Sequence, residues 1–350
     1  MRDGPRKSDR PTKLHLQTVP DKEEENMGFK LLLLSDPAIP ESLTAAAEWP
    51  KRLATEMPAI ELFIAASSVE AEDCIADVEA AFGFLPPALF AKATNLRWLA
   101  SPRAGPDPSF YHQALVDSDV QVTNVRGIYN DHISAQVMAY LLAFAKGLPT
   151  YWAQQREKLW QAGVPTVYLP EMTLLIVGVG GIGAETARLA ASFGITVIGV
   201  DARRDALLPG LSELHDSDAL ATLLPHADAV VLTVPETPAT QGFFDAAKFT
   251  LMKPSAFFIN IGRGATVRLD DLDQALRGGV IAAAALDVFE TEPLPRDHPL
   301  WEAPGMLITP HVAAAGPYID ERRWQVFVDN CSRFEDGRPL TNLVDKANWF

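Results

Sequence analysis

The chain has 350 residues, 48% hydrophobic and 21% charged, which is enough for two cored domains. Its net charge of −15 disfavours nucleic acid and anionic membrane surfaces as partners. The two cysteines, Cys74 and Cys331, lack metal-ligand spacing and no apolar run reaches membrane length, so the expectation is a cytoplasmic protein without a metal.

Residues 1–27 are rich in Lys, Arg, Asp, Glu and Pro and read as a disordered tail, with Met27 a candidate start site. Apolar, strand-like runs follow at Lys30–Ser35, Ile60–Ala65, Leu96–Ala100 and Asp119–Thr123, alternating with helical stretches in the α/β manner. After the third run comes a loop, Ser101-Pro102-Arg103-Ala104-Gly105-Pro106-Asp107-Pro108, at the sheet edge where such folds carry function. Ile133–Tyr151 reads as one long helix, so apolar that it must be buried in the fold or against a second subunit.

Leu174–Asp201 has the outline of a dinucleotide-binding unit. A buried strand, Leu174–Val177, precedes Gly178, Gly180 and Gly183 in G-x-G-x-x-G spacing. A helix over Ala184–Phe193 and a second strand, Ile195–Val200, lead to Asp201. The glycines allow a sharp turn, an open approach for a pyrophosphate, and close packing of helix on strand. The helix N-terminus offers free N–H groups to the phosphates, and Asp201 can accept from the ribose hydroxyls.

Four further strand runs follow, at Ala229–Pro235, Ala256–Ile261, Ala282–Leu286 and Met306–Thr309, and the chain is helical from Tyr318. Polar residues stand just past the last three: Arg263, Asp287 with Glu292, and His311. Hydride transfer to a 2-keto acid needs a cation for the carboxylate, a proton donor and a carboxylate to orient it. Arg263, His311 and Glu292 have those properties. The cofactor itself carries the redox chemistry.

The segments GVGGIG (Gly178–Gly183), NIGRG (Asn260–Gly264), ALDVFETEPLP (Ala285–Pro295) and TPH (Thr309–His311) resemble those of D-isomer-specific 2-hydroxyacid dehydrogenases. The resemblance implies two doubly wound parallel-sheet domains, with a Rossmann cofactor domain (125–311) inserted into a flavodoxin-like substrate domain (28–124 and 312–350). It implies Arg263, Glu292 and His311 as the catalytic set, Asp287 near the nicotinamide amide, and a dimerisation arm at about 128–160. Cofactor contacts are expected from Gly178, Gly180, Gly181, Ile182 and Gly183, and from Asp201 and Arg203. On the remaining strand ends they are expected from Val234, Pro235, Thr240, Ile261, Gly262, Arg263, Asp287 and His311. Arg103, Ala104, Gly105 and Arg263 are the expected substrate contacts.

Two positions depart from the family pattern. Ser134-Ala135-Gln136 stands where Val-Ala-Glu is usual, and Pro106, which has no N–H, follows Gly105. The reading is a 2-keto acid reductase. A cofactor-sensing corepressor and a formate- or phosphite-type oxidoreductase are the alternatives on the same scaffold. Asp201 favours NAD, while Arg203 and Arg204 leave NADP possible. A homodimer is expected through the Ile133–Trp160 region, where an exposed helix with Val137, Met138, Leu141, Leu142 and Phe144 would leave a large apolar patch. Trp98, Tyr111, Tyr129 and Trp301 either line a substrate pocket or belong to the core.

Overall fold

The continuous apolar runs become strands of two all-parallel sheets in this computed structural model, which describes residues 28–106 and 108–348. The tail at 1–27 and Asp107 lie outside the described residues. The first sheet contains β1 (Lys30–Leu34), β2 (Glu61–Ala65), β3 (Ala80–Phe82), β4 (Trp98–Ala100) and β5 (Gln121–Thr123), in the order β2-β1-β3-β4-β5. The second contains β6 (Thr173–Val177), β7 (Thr196–Val200), β8 (Glu213–His215), β9 (Ala229–Leu232), β10 (Phe257–Asn260), β11 (Ala283–Leu286) and β12 (Met306–Ile308). Its order is β12-β11-β10-β9-β6-β7-β8, so the winding reverses between β6 and β9. An open α/β sheet binds ligands at such a reversal.

The longer helices are α1 (Pro40–Glu56), α2 (Asn130–Ala145), α3 (Leu148–Arg156), α4 (Gly181–Ser192), α5 (Leu269–Arg277) and α6 (Ile319–Glu335). They cover both faces of the sheets, which explains the uninterrupted hydrophobicity of the strands. Along β9, Ala229 and Val231 enter one core layer while Val230 and Leu232 enter the other. Along β1, Leu32 and Leu34 face one layer, and Leu31 and Leu33 the opposite one. Strands β3 and β8 escape the sequence reading because three residues give no usable period. β3 is also mostly alanine, a helix former that pairing with β1 and β4 overrides.

The expected helix over Ile133–Tyr151 is two helices. Gly147 adopts a left-handed φ of +64° and Pro149 lies in the first turn of α3, so α2 stops at Ala145. Val137, Met138, Leu141 and Phe144 are buried within the subunit, packed with residues of β6, β7 and α4. They therefore cannot form an intersubunit surface. Apolar surface appears instead beyond the break, at Leu148, Trp152, Leu159, Trp160 and Tyr168.

Helix α6 returns to the first sheet, where Trp324 and Phe327 pack against Trp49, Phe82 and Trp98. The segment after it bridges the edge of β5, with the Val344 N–H donating to Val122 O at 2.9 Å. Among the described residues no helix is long and apolar enough to cross a membrane.

Candidate active site

The loops after β6, β9 and β10 converge at the reversal point. Gly178 turns off β6 at φ +94°, in a region closed to most side chains. Gly183 packs so tightly that a Cβ there would lie 2.2 Å from Gly178 O, whereas a Cβ at Gly180 would meet nothing within 4 Å. Val234 lies between the loops. A Cβ on Gly178 would reach its side chain at 3.0 Å, and one on Gly262 its carbonyl at 2.7 Å.

Asp201, at the end of β7, is buried, and its two oxygens accept from Val179 N at 2.7 Å and Arg203 N at 2.9 Å. The acid thus pins the glycine turn. Gly180 caps α4 with no side-chain acceptor, so the helix offers its first N–H groups beside the open space at Gly180. Ile182 is half-buried there and Gly181 faces the Asn130 side chain. These residues fit a dinucleotide. Pro235 and Thr240 form a self-contained turn, with Thr240 Oγ1 donating to Pro235 O at 2.7 Å.

Beyond β10, Ile261 is buried and Asn260 shapes the turn. Its Oδ1 accepts from Gly262 N and its Nδ2 donates to Arg263 O, each at 3.0 Å. Arg263 donates from Nη1 to Gly262 O and from Nη2 to Gly105 O, both at 2.7 Å. The second bond crosses from the cofactor sheet to the substrate loop.

Four consecutive carbonyls of that loop are each held by a side chain. Pro102 O accepts from Arg323 Nε at 3.1 Å and Arg103 O from Ser101 Oγ at 2.9 Å. Ala104 O accepts from Asn124 Nδ2 at 2.8 Å, and Gly105 O from Arg263. Among the described residues the N–H groups of Ala104 and Gly105 have no acceptor. They are available to an anion beside Arg263. The Arg103 guanidinium reaches Glu41 at 3.3 Å and Ala38 O at 3.4 Å.

Past β11, Asp287 is buried and its carboxylate accepts from Thr309 Oγ1, from Val312 N at 2.9 Å and from Ala313 N at 2.8 Å. Its carbonyl accepts from His311 N at 2.8 Å. Asp287 therefore shapes the turn that carries His311, which stands at φ +53°. Nδ1 of His311 lies 2.7 Å from Glu292 Oε2, while Glu292 Oε1 accepts from Phe289 N at 2.9 Å. Burial pushes the Glu292 carboxyl up, but the His311 and Phe289 hydrogen bonds and the nearby charges of His311 and Arg263 outweigh it. They hold the group below its usual range.

Of the candidate pocket aromatics, Trp98 and Tyr111 are core residues. Burial pushes the Tyr111 phenol up to about 12, against the pull of Arg263. Tyr129 Oη accepts from Arg323 Nη2 at 3.0 Å, and Trp301 is exposed, its Nε1 donating to Pro295 O. The supporting residues Asn124 and Arg323 give no sequence signal, because neither belongs to a recognisable spacing. A groove of about 790 Å³ among Arg97, Ser118, Phe334 and Leu340 contains none of the site residues.

The sequence profile of the D-isomer specific 2-hydroxyacid dehydrogenase NAD-binding domain matches residues 138–313. The chain is 34% identical to a glyoxylate/hydroxypyruvate reductase A of Yersinia enterocolitica, over 60% of this chain and 66% of that one. It is 32% identical to a glyoxylate reductase of Korarchaeum cryptofilum, over 79% of this chain and 84% of that one. A crystal structure of a Xanthobacter autotrophicus D-isomer specific 2-hydroxyacid dehydrogenase, in complex with NADPH and MES, superposes with a TM-score of 0.81. The two share 31% identity, covering 92% of this chain and all of that one. The chain belongs to the D-isomer-specific 2-hydroxyacid dehydrogenase family, oxidoreductases that use a nicotinamide dinucleotide.

The glycine turn yields a contrast to measure. Gly180→Ala should melt at the parent temperature yet bind NADH at least about tenfold more weakly, because its methyl occupies only the open space. Gly183→Ala should lower both melting temperature and NADH affinity. Full NADH affinity in Gly180→Ala, read by fluorescence titration, would remove the pyrophosphate from this turn.

Proposed function

We propose that the chain reduces a small 2-keto acid, with Arg263 and the Ala104 and Gly105 N–H groups seating the carboxylate and His311 donating the proton. The observation that carries this reading is the 2.7 Å contact of His311 Nδ1 with Glu292, within the electrostatic reach of Arg263. Relatives named as glyoxylate and hydroxypyruvate reductases support a small substrate.

The dinucleotide, when bound, supplies the hydride. Arg263 offers a planar pair of donors to the substrate carboxylate and draws electron density from the adjacent carbonyl. Glu292 takes the Nδ1 proton of His311 as a hydrogen bond, which leaves Nε2 to protonate the oxygen as it gains negative charge. The hydroxy acid then carries a C–H from the cofactor and an O–H from His311. The histidine side chain is 48% exposed, so solvent can return its proton.

His311→Ala should keep NADH affinity while turnover falls by roughly 10²-fold or more. Glu292→Gln should also lower turnover, by roughly tenfold, with NADH affinity unchanged, because an amide oxygen holds the Nδ1–H less firmly than a carboxylate does. Wild-type turnover in that variant would exclude Glu292 as the partner.

We further propose a preference for NAD(H), with NADP(H) also used. Asp201 is held by two backbone donors, and a 2′-phosphate would bring negative charge against it, while Arg203 and Arg204 are exposed. Wild type should show the higher kcat/KM with NADH, and Asp201→Asn should shift the ratio towards NADPH. A tenfold or larger wild-type preference for NADPH would overturn this.

The apolar surface at Trp152, Leu159, Trp160 and Tyr168 supports a homodimer joined through the 148–168 region. Light scattering should report a dimer at micromolar concentration, and Trp152→Glu with Trp160→Glu should yield monomer. A monomeric wild type would rule the interface out.

A further inference from the structure

We infer that Tyr140, on helix α2, is a positioning residue for His311, acting through a one-way chain of hydrogen bonds that passes Thr309 and ends at Asp287. The inference rests on the proposed role of His311 as proton donor.

Asp287 fixes the direction of the chain. Both its carboxylate oxygens act as acceptors, Oδ1 from Thr309 Oγ1 and Val312 N, and Oδ2 from Ala313 N. The single hydroxyl hydrogen of Thr309 is therefore committed to Asp287. Thr309 Oγ1 also hydrogen-bonds Tyr140 Oη. That bond must use the Tyr140 hydrogen, because Thr309 has no second one. The Tyr140 oxygen is then left as an acceptor. The donors run Tyr140, Thr309, and the last acceptor is the buried carboxylate of Asp287.

The chain reaches the proton donor through the backbone. His311, Val312 and Ala313 all donate their N–H groups to Asp287, and His311 holds a left-handed φ of +53°. That conformation is unfavourable for a residue with a Cβ and persists only where its surroundings impose it. Asp287 imposes it here, its carbonyl holding His311 N and its carboxylate the next two N–H groups, while Thr309, braced by Tyr140, orients that carboxylate. Tyr140 is itself buried, so water does not readily compete for its hydroxyl.

The test uses the full chain carrying Tyr140→Phe, Thr309→Val or both, with His311→Ala alongside. It measures kcat and KM with glyoxylate or hydroxypyruvate, whichever wild type reduces faster, NADH affinity by fluorescence, and melting temperature. Each single change should lower kcat roughly three- to tenfold while KM and NADH affinity stay within about twofold of wild type. The double variant should lose no more than the worse single one, since both break the same chain. Wild-type kcat in both single variants, losses confined to KM or NADH affinity, or losses that multiply in the double variant would each overturn the inference. If Tyr140→Phe does not fold, Thr309→Val alone decides by the same split. Wild-type turnover in His311→Ala would instead overturn the proton-donor reading, which separates the two failures.

Discussion

The buried carboxylate of Asp287 is the constraint on which the proposed catalytic edge depends. It draws Thr309 Oγ1 and two consecutive backbone N–H groups onto one point, and its carbonyl takes the N–H of His311. Hydrogen bonds to an acidic acceptor are among the stronger ones, and inside the protein water does not compete for them. The imidazole can then stand half in solvent and still keep a defined relation to Glu292. Asp201 follows the same logic at the other end of the site. There a strand-end carboxylate holds Val179 N and so fixes the turn on which the dinucleotide would lie. At both places an acid that reads as a ligand contact serves first as the anchor of a loop.

This division of labour explains what the sequence could convey. Parallel strands covered on both faces are written as continuous apolar runs, so β1, β6, β9 and β10 were legible directly. The glycine spacing and the strand-end positions of Arg263, Glu292 and His311 were legible because motif and chemistry coincide there. The anchors were not. Asn124 and Arg323 act on carbonyls of the substrate loop from distant parts of the chain, and no local pattern encodes such a contact. Tyr140 sits in an apolar helix and reads as one more core residue, although its hydroxyl has a partner on the catalytic edge.

The apolar helix shows a different kind of limit. Hydrophobicity on every side says only that a helix is covered, not whether its own subunit or another covers it. Gly147 and Pro149 divide the question in space: α2 is enclosed by its own domain, and exposed apolar surface begins with α3. Trp98 and Tyr111 carry the same ambiguity between pocket and core, and packing resolves it towards the core.

The substrate loop is held from both sheets. Asn124 and Arg323 grip it from the substrate side, and Arg263 grips Gly105 O from the cofactor side. Three of its four held carbonyls have partners beside the first sheet, and one, Gly105 O, has a partner beyond β10. The loop thus takes its shape from the first sheet and its registration to the second from a single guanidinium, so Arg263 joins the two halves of the proposed site as well as bringing its charge.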